Sequence, residues 1–201
     1  PSHISDELIR LFADEPRLCP HVHLSLQHGD ARVLKQMKRR YGPDLVRERV
    51  TRLREAAPDL VLSADVLVGF PTETEDAFEA TLDLLDELAI AYPHVFPFSE
   101  RPGTPGGRIP EAKAVPVPER KARAARMRER GEAIRDRVLD RFVGRVMEVV
   151  VEGSEPDSQG RARGRAANYL PVRIPAANAA PGERITVTPK TVADGELVAG
   201  S

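Results

Sequence analysis

Three short apolar runs, each ended by polar, glycine or proline residues, constrain the fold of this chain more than any other feature. They lie at residues 23–27, 65–74 and 94–99. A buried parallel strand has this pattern, because both of its faces are covered and its functional groups follow at its C-terminal end. Ligands of α/β folds bind at those ends. The sequence therefore predicts an α/β fold in which three strand ends converge on one edge, and we expect the chemistry there.

Helical periodicity fills the stretches around these strands. We predict strands at 22–26 and 61–68, and helices at 4–13, 31–40, 43–57 and from Thr72 or Thr74 to about Leu88. Ser5 is a candidate cap for the first helix, and the acidic first turn of the last one suits the positive end of a helix dipole. Strand and helix thus alternate along the first half of the chain.

The clearest break in the chain is the proline-rich segment at 101–118. A strongly basic helix is predicted after it, and from Gly144 the hydrophobic period changes from helical to alternating. Short strands near 145–152, 160–166, 171–174, 184–188 and 196–199, separated by glycine or proline, predict a small all-β barrel. We therefore divide the chain into an α/β part at 1–118, a connecting helix at 119–141 and an all-β domain at 142–201.

Three parallel strands cannot close a barrel, and one edge of such a sheet would lie open to pairing. Strands from a preceding segment would repair this. The chain also begins with Pro1 rather than methionine and enters an amphipathic helix pattern at once. We therefore expect it to be part of a longer polypeptide.

Composition limits the function classes to be considered. With 30 basic and 31 acidic residues among 201, the net charge is -1, so an argument for nucleic-acid binding must be local. The apolar runs are far shorter than the roughly 18 residues of a membrane span, and no secretory signal pattern opens the chain. We expect a cytoplasmic protein without a membrane partner.

Candidate metal ligands are few. Cys19 is the only cysteine, so it cannot form an intramolecular disulfide or by itself hold zinc or an iron–sulfur cluster. A small, partly buried residue at a strand start is favoured over a catalytic thiol there. His21 and His23 share one face of a strand, but His28 lies beyond the turn, and no acidic residue completes a recognisable ligand spacing. We therefore predict no metal site.

Two strand ends carry groups suited to ligand binding. Gly69 lets the backbone approach a ligand closely, Pro71 stiffens the exit, and the N–H groups of the helix start could receive a carboxylate or phosphate. Turn geometry alone also requires glycine and proline. Gln27 can donate and accept hydrogen bonds, which suits a sugar hydroxyl or a base edge, or it bonds to loop backbone.

Two basic segments could contact RNA. The arginines of the helix at 119–140 are interleaved with acidic residues, so phosphate binding and a lattice of ion pairs both remain open. Arg161, Arg163 and Arg165 recur at period two and would share one face of a strand, with Tyr169 nearby as a stacking ring. Phosphate contact and simple solvation remain open there too.

Three strings, at 17–41, 65–74 and 94–104, follow one another in a specific order. Together they resemble the radical S-adenosylmethionine (SAM) tRNA methylthiotransferases. The segment Arg101-Pro102-Gly103-Thr104-Pro105 and the short tail resemble most the branch that acts on threonylcarbamoyladenosine, and residues 142–201 resemble its RNA-binding, OB-like TRAM barrel. The resemblance implies the C-terminal half of a partial (β/α) radical SAM barrel followed by a TRAM domain.

The resemblance also implies cofactors and partners. The full-length enzyme would hold SAM and iron–sulfur clusters, install a methylthio group on a modified adenosine of tRNA, and need its N-terminal part for the cluster cysteines. No catalytic residue and no cluster ligand is expected in this chain, which would be inactive alone. The pocket for SAM would be lined by Gln27, Gly69, Phe70, Pro71, Thr72 and Glu73, with Val95 and Phe96 near the adenine.

The resemblance also implies contacts with tRNA, and the chain departs from the family pattern at one place. Arg101 and the loop to Thr104 would close the pocket or meet tRNA, and Arg161, Arg163, Arg165 and Tyr169 would bind RNA. Where the family usually has Gln-Ser-Gly-Ser-Asp, this chain has Gln27-His28-Gly29-Asp30-Ala31, so two hydroxyls are lost.

Two other functions remain open. One is a related radical SAM enzyme that modifies a ribosomal protein. The other is a self-standing RNA-binding module, which would bind tRNA with a steep salt dependence carried by the three arginines of the strand.

Overall fold

The computed structural model describes residues 1–100, 109–110, 113–153, 156–175 and 180–200. Its helices are α1 (Asp6–Asp14), α2 (Ala31–Gln36), α3 (Pro43–Ala56), α4 (Glu75–Glu87) and α5 (Val117–Asp140). Its strands are β1 (His21–Gln27), β2 (Val61–Val68), β3 (Ile90–Pro97), β4 (Met147–Val151), β5 (Arg161–Ala166), β6 (Pro171–Pro175), β7 (Arg184–Val187), β8 (Pro189–Ala193) and β9 (Glu196–Ala199). This order confirms the predicted alternation of strand and helix followed by a run of strands.

The first sheet is parallel, with strand order β1-β2-β3. Leu24 and Leu26 of β1 and Val66 and Val68 of β2 are buried on the face that the helices cover. The alternate residues point to the opposite face. Val61 and Ser63 are buried there, whereas His23 and Asp65 are at least partly exposed. The sheet therefore has one apolar, covered face and one more polar face that is open around His23 and Asp65.

Side-chain caps begin two of the helices as their sequences predict. The Ser5 hydroxyl accepts a hydrogen bond from the backbone N–H of Leu8 at 3.1 Å. Thr74 caps α4 in the same way, accepting from the N–H of Ala77 at 3.2 Å. Each cap satisfies a donor that the helix cannot pair internally. The cap at Thr74 sets where the strand-end turn stops and α4 begins.

The helix predicted at 31–40 ends earlier, at Gln36. Lys38 adopts a left-handed backbone conformation, with φ of 59°. The N–H of Arg39 then donates back to the carbonyl of Leu34 at 2.9 Å, which closes the helix end in the manner of a Schellman motif. The prediction overran because no glycine marks this left-handed residue.

The third strand begins four residues before the predicted start at His94. Ile90 and Ala91 are buried, and Leu62 of β2 lies beside Ile90 in the parallel register. The segment between α4 and β3 is therefore very short. Residues 94–97 of the predicted strand form the C-terminal half of β3.

The ion-pair interpretation of the basic helix is confirmed for four of its arginines. Their partners lie in the strand-end turn and on α4: Arg123 pairs with Glu73, Arg126 with Glu75 and Glu79, and Arg130 and Arg137 with Asp86. These arginines hold α5 against α4. They are accordingly engaged within the protein.

The second sheet has six strands in the order β7-β4-β5-β6-β9-β8, antiparallel except for the β6–β9 pair. Strand β8 was not predicted from the sequence, because it begins with a proline and a lysine, which obscure the alternating hydrophobic pattern. In β5, Ala162, Gly164 and Ala166 are buried while the arginines between them are not, so the shared face of the arginines is confirmed. The hydrophobic core runs without interruption from the first sheet through α5 into the second.

Among the described residues, none of the helices is both long enough and apolar enough to cross a membrane.

Candidate active site at the strand ends

The C-terminal ends of the three parallel strands meet at one edge, as the sequence predicts. Gln27 ends β1 in a left-handed conformation, with φ of 66°, at a point where the pairing register with β2 shifts. Gly69, with φ of 72°, follows β2, and the N–H of Phe98 after β3 donates to the carbonyl of Val68 at 2.8 Å. In the described part of the chain the Gln27 amide has no hydrogen-bond partner, so it is available to a ligand.

The carboxylate of Glu73 is buried beneath this edge rather than exposed on it. Glu73 Oε1 accepts from Arg123 Nη1 at 2.6 Å. Glu73 Oε2 accepts from the N–H of Gly69 and from His28 Nε2, both at 3.0 Å. The side chain ties together the turn after β1, the turn after β2 and α5. A role in lining the cofactor pocket stays a prediction, and these contacts show what Glu73 does in the fold.

Opposing effects act on the pKa of Glu73. Burial raises it, but the hydrogen bonds that the carboxylate accepts from His28, Arg123 and Gly69 together lower it more. The net pKa lies below the ordinary value of a glutamate. The folded protein therefore holds this buried carboxyl group in its ionised form.

His28 takes one of the places where the family has a serine, and it is almost fully buried. The N–H of Asp30 donates to His28 Nδ1 at 2.9 Å, so the ring proton resides on Nε2 and is donated to Glu73. Asp30 in turn caps α2, accepting from the N–H groups of Arg32 and Val33. The departure from the family pattern thus builds an internal network at the first strand end. The sequence reasoning missed this role, because His28 and Glu73 are 45 residues apart.

Gly69 makes room for Arg120 of α5 rather than for a group outside the fold. A Cβ atom at Gly69 would lie 2.4 Å from Arg120 Cγ. The guanidinium of Arg120 donates to the carbonyls of Val115 at 2.6 Å and Phe98 at 2.9 Å, and it lies over the Phe98 ring. The close approach predicted at Gly69 exists, and its occupant in the structure is a side chain of the same protein.

The other predicted pocket residues of the turn are mostly buried. Phe70 packs with Val33 and meets Phe98 edge-on, and Pro71 is buried as well. Thr72 is partly exposed, with φ of 79°, and its hydroxyl donates to Gln36. In this turn, a ligand could therefore reach Thr72 and the backbone.

Val95 and Phe96 point to opposite faces of β3, as strand alternation requires. Val95 packs against the main hydrophobic core, whereas 52% of Phe96 is exposed on the open face. Phe96 is therefore the ring that a ligand on this face could contact. Arg101, the remaining residue predicted near this edge, lies outside the described residues.

On the open face, below the strand ends, the structure brings three polar side chains together. His23 Nε2 lies 3.2 Å from Asp65 Oδ1, and His94 Nδ1 lies 3.7 Å from the same oxygen. The sequence reasoning found no acidic partner for the histidines because it looked for local spacing. The partner comes from the neighbouring strand.

The predicted RNA-binding residues lie on the second sheet. Among the described residues, neither Arg161 nor Arg163 has an acidic group within ion-pair distance, whereas Arg165 pairs with Glu152 at 2.8 Å. Tyr169 stacks on His21 at a centroid distance of 4.7 Å, and Arg165 also lies over its ring. Arg161 and Arg163 therefore remain open to a ligand, while Tyr169 already has aromatic and cationic neighbours.

Comparison with known proteins shows what this chain resembles. Residues 1–85 match the family model of the radical SAM superfamily. The chain is 38% identical to the threonylcarbamoyladenosine tRNA methylthiotransferase of Rickettsia prowazekii over 86% of its own length and 39% of the relative's. It is also 36% identical to the tRNA-2-methylthio-N(6)-dimethylallyladenosine synthase of Thermobifida fusca, over 100% of the chain and 42% of that relative. The chain is therefore similar to part of the radical SAM methylthiotransferases.

The resemblance drawn from the three sequence motifs is thereby confirmed. The same synthase of Syntrophotalea carbinolica is 40% identical over 82% of the chain and 37% of its own length. The chain thus spans about two fifths of the length of the curated relatives it matches. Identity to the two kinds of relative is nearly equal, so it does not separate the branches.

The similarity implies iron–sulfur clusters and SAM, and the two fit this chain differently. Cluster iron is held by several cysteine thiolates, whereas this chain has one cysteine, exposed Cys19. The residues present therefore do not fit a cluster. At the strand ends, the available Gln27 amide and the exposed Phe96 ring have the polar and aromatic character that a nucleoside cofactor requires.

Proposed function

We propose that this chain is the C-terminal part of a methylthiotransferase that modifies adenosine in tRNA, in the branch acting on threonylcarbamoyladenosine. The observation that carries the proposal is the 36–40% identity to tRNA methylthiotransferases over 82–100% of the chain. The Arg-Pro-Gly-Thr-Pro segment at 101–105 favours the threonylcarbamoyl branch. In this proposal the cluster ligands lie in another part of the polypeptide.

In the proposed enzyme, the strand-end edge of this chain binds SAM. The Gln27 amide would hydrogen-bond the polar part of the nucleoside, and Phe96 would contact its base. When bound with its cluster, SAM supplies the radical that starts the reaction. The Glu73, His28 and Arg123 network lies behind this surface, so its role is to hold the turns that present the binding groups.

We further propose that the second sheet is a TRAM domain and contacts the tRNA backbone. Arg161 and Arg163 point outward from one face of β5, and the described residues offer them no acidic partner. Free guanidinium groups at this spacing suit successive phosphates. Arg165 extends the same row, but its guanidinium is already paired with Glu152.

Disruption of the coding sequence in the source organism tests the catalytic proposal. Nucleosides from total tRNA are then measured by mass spectrometry, with the intact strain and a complemented strain as controls. Loss of the methylthio form of threonylcarbamoyladenosine, restored by complementation, is the expected result. Loss of methylthio-dimethylallyladenosine instead would contradict the branch. Unchanged tRNA together with a lost methylthio group on a ribosomal protein would contradict the tRNA substrate.

Binding of the chain itself to tRNA tests the proposed RNA face. We expect the combined changes Arg161→Ala, Arg163→Ala and Arg165→Ala to weaken binding. They should also make the slope of log affinity against log salt shallower by about 0.9 for each phosphate that the protein no longer neutralises. Arg10→Ala, on the exposed side of α1, is the matched control and should leave both unchanged. Equal binding and slope in the triple variant would place the RNA face elsewhere.

A further inference from the structure

Three side chains on adjacent strands of the open face form a compact set of metal-ligating atoms. In the parallel register Asp65 of β2 lies beside His94 of β3, and His23 of β1 lies beside Ser63, two residues earlier on β2. Because alternate residues of a strand share a face, all four side chains point to the same side of the sheet. One histidine, one carboxylate and a second histidine therefore meet above the middle strand.

The distances between the ligand atoms suit a transition metal. One ligand atom from each of His23, Asp65 and His94 lies within 4.8 Å of the other two. His23 Nε2 and His94 Nδ1 lie 3.2 and 3.7 Å from Asp65 Oδ1. A tetrahedral zinc ion with bonds of about 2.1 Å holds its ligand atoms roughly 3.4 Å apart. The two distances to Asp65 Oδ1 lie on either side of that value.

A neighbouring hydroxyl orients the first of these ligands. The hydroxyl oxygen of Ser63 lies 2.8 Å from His23 Nδ1 and 3.2 Å from His21 Nε2. When Nδ1 donates to Ser63, the lone pair of His23 is on Nε2, the atom that faces Asp65. Metal-binding histidines in proteins have this kind of hydrogen bond on the nitrogen remote from the metal.

The set is also open to solvent on one side. The side chains of His23, Asp65 and His94 are 39%, 33% and 57% exposed. Three protein ligands with an accessible remaining position are the arrangement of catalytic zinc sites and of the two-histidine, one-carboxylate iron sites. We propose that His23, Asp65 and His94 bind one divalent transition-metal ion, of the class of zinc. This inference rests on the side-chain geometry and is independent of the proposed tRNA chemistry.

Zinc titration of the chelator-treated chain, prepared without a histidine tag, tests the site by calorimetry. We expect one zinc ion per chain, and affinity reduced at least about tenfold by Asp65→Asn or His94→Ala. Ser63→Ala, which removes only the orienting hydroxyl, should weaken binding by about tenfold. His3→Ala removes an exposed histidine outside the set and is the matched control, expected to bind as the unaltered chain does.

Cobalt absorption spectra of the unaltered chain supply a second measurement that does not depend on variants. Cobalt held by histidine and carboxylate shows visible ligand-field bands without the near-ultraviolet thiolate band that binding at Cys19 would give. Circular dichroism checks that each variant is folded. Absence of stoichiometric zinc binding, a thiolate band, or equal affinity in the Asp65 and control variants would overturn the proposal.

Discussion

Arg123 Nη1 lies 2.6 Å from Glu73 Oε1, and the two side chains are only 4% and 0% exposed. The pair joins the middle of α5 to the turn that ends β2, so it fixes the floor of the candidate active site. A buried pair of this kind costs desolvation when it forms, but removing one partner leaves an uncompensated charge in the interior. Replacing only one of the two residues therefore destabilises the fold more than the intact pair stabilises it.

We expect Arg123→Met to lower the free energy of unfolding by about 3–5 kcal/mol, the usual cost of breaking a buried ion pair. Methionine retains most of the packing volume, so the loss reports mainly on the stranded Glu73 carboxylate. Urea unfolding followed by circular dichroism measures the effect.

Arg126→Met is the matched control for that change. Arg126 also lies on α5, pairs with acidic residues of the α4 region and sits over the Phe78 ring, as Arg123 does. It differs in being exposed, so its loss should cost about 1 kcal/mol or less. Similar losses of unfolding free energy in the two variants would show that burial of the Arg123 pair makes no additional contribution to stability.

The lowered pKa of Glu73 predicts an acid dependence of stability. Its folded-state pKa lies below the ordinary value of 4.5, so its stabilising contribution is complete above that pH and is lost as the pH falls through the folded-state value. We expect Glu73→Gln to be less stable at neutral pH but to lose less stability on acidification. Urea unfolding at a series of pH values measures both.

Glu55→Gln, at an exposed site on α3 without an ion pair among the described residues, is the control for acid dependence. Its free energy of unfolding should depend on pH in the same way as that of the unaltered chain. An acid dependence in Glu73→Gln as steep as in the unaltered chain would mean that other carboxylates carry the effect.

Local patterns predicted most of the elements, whereas the contacts of the site come from residues distant in sequence. Periodicity located β1, β2 and α4 because an amphipathic or buried segment carries its own signature. The pairing of Glu73 with Arg123 spans 50 residues and depends on how α5 returns across the sheet. The turn after β2 was expected to face a cofactor because its glycine and proline do not show which way the Glu73 side chain points.

The contact between Gly69 and Arg120 predicts a large cost for a single methyl group. Gly69→Ala would place a Cβ in contact with the Arg120 stem and in a left-handed backbone conformation. The backbone strain costs about 1–2 kcal/mol, and displacement of a packed side chain adds about 1–3 kcal/mol. Thermal or urea unfolding measures the sum.

Gly144→Ala separates those two costs. Gly144 has a similar φ of 79°, but a Cβ there would meet nothing within 4 Å. Its substitution should therefore show the backbone strain alone. Equal losses at the two glycines would mean that Arg120 moves aside freely and does not hold α5 to the turn.

The stack of Tyr169 on His21 predicts that the second sheet controls the titration of a histidine on the first. Burial, and then the neighbouring charge of His23, lower the pKa of His21 from its ordinary value of 6.5. Tyr169→Ala uncovers the ring, so we expect the pKa of His21 to rise toward that value. Tyr169→Phe retains the stacked ring and should leave the pKa where it is. Proton NMR titration of the His21 ring distinguishes these results. An unchanged pKa in Tyr169→Ala would show that the ring of Tyr169 does not shield His21 from solvent.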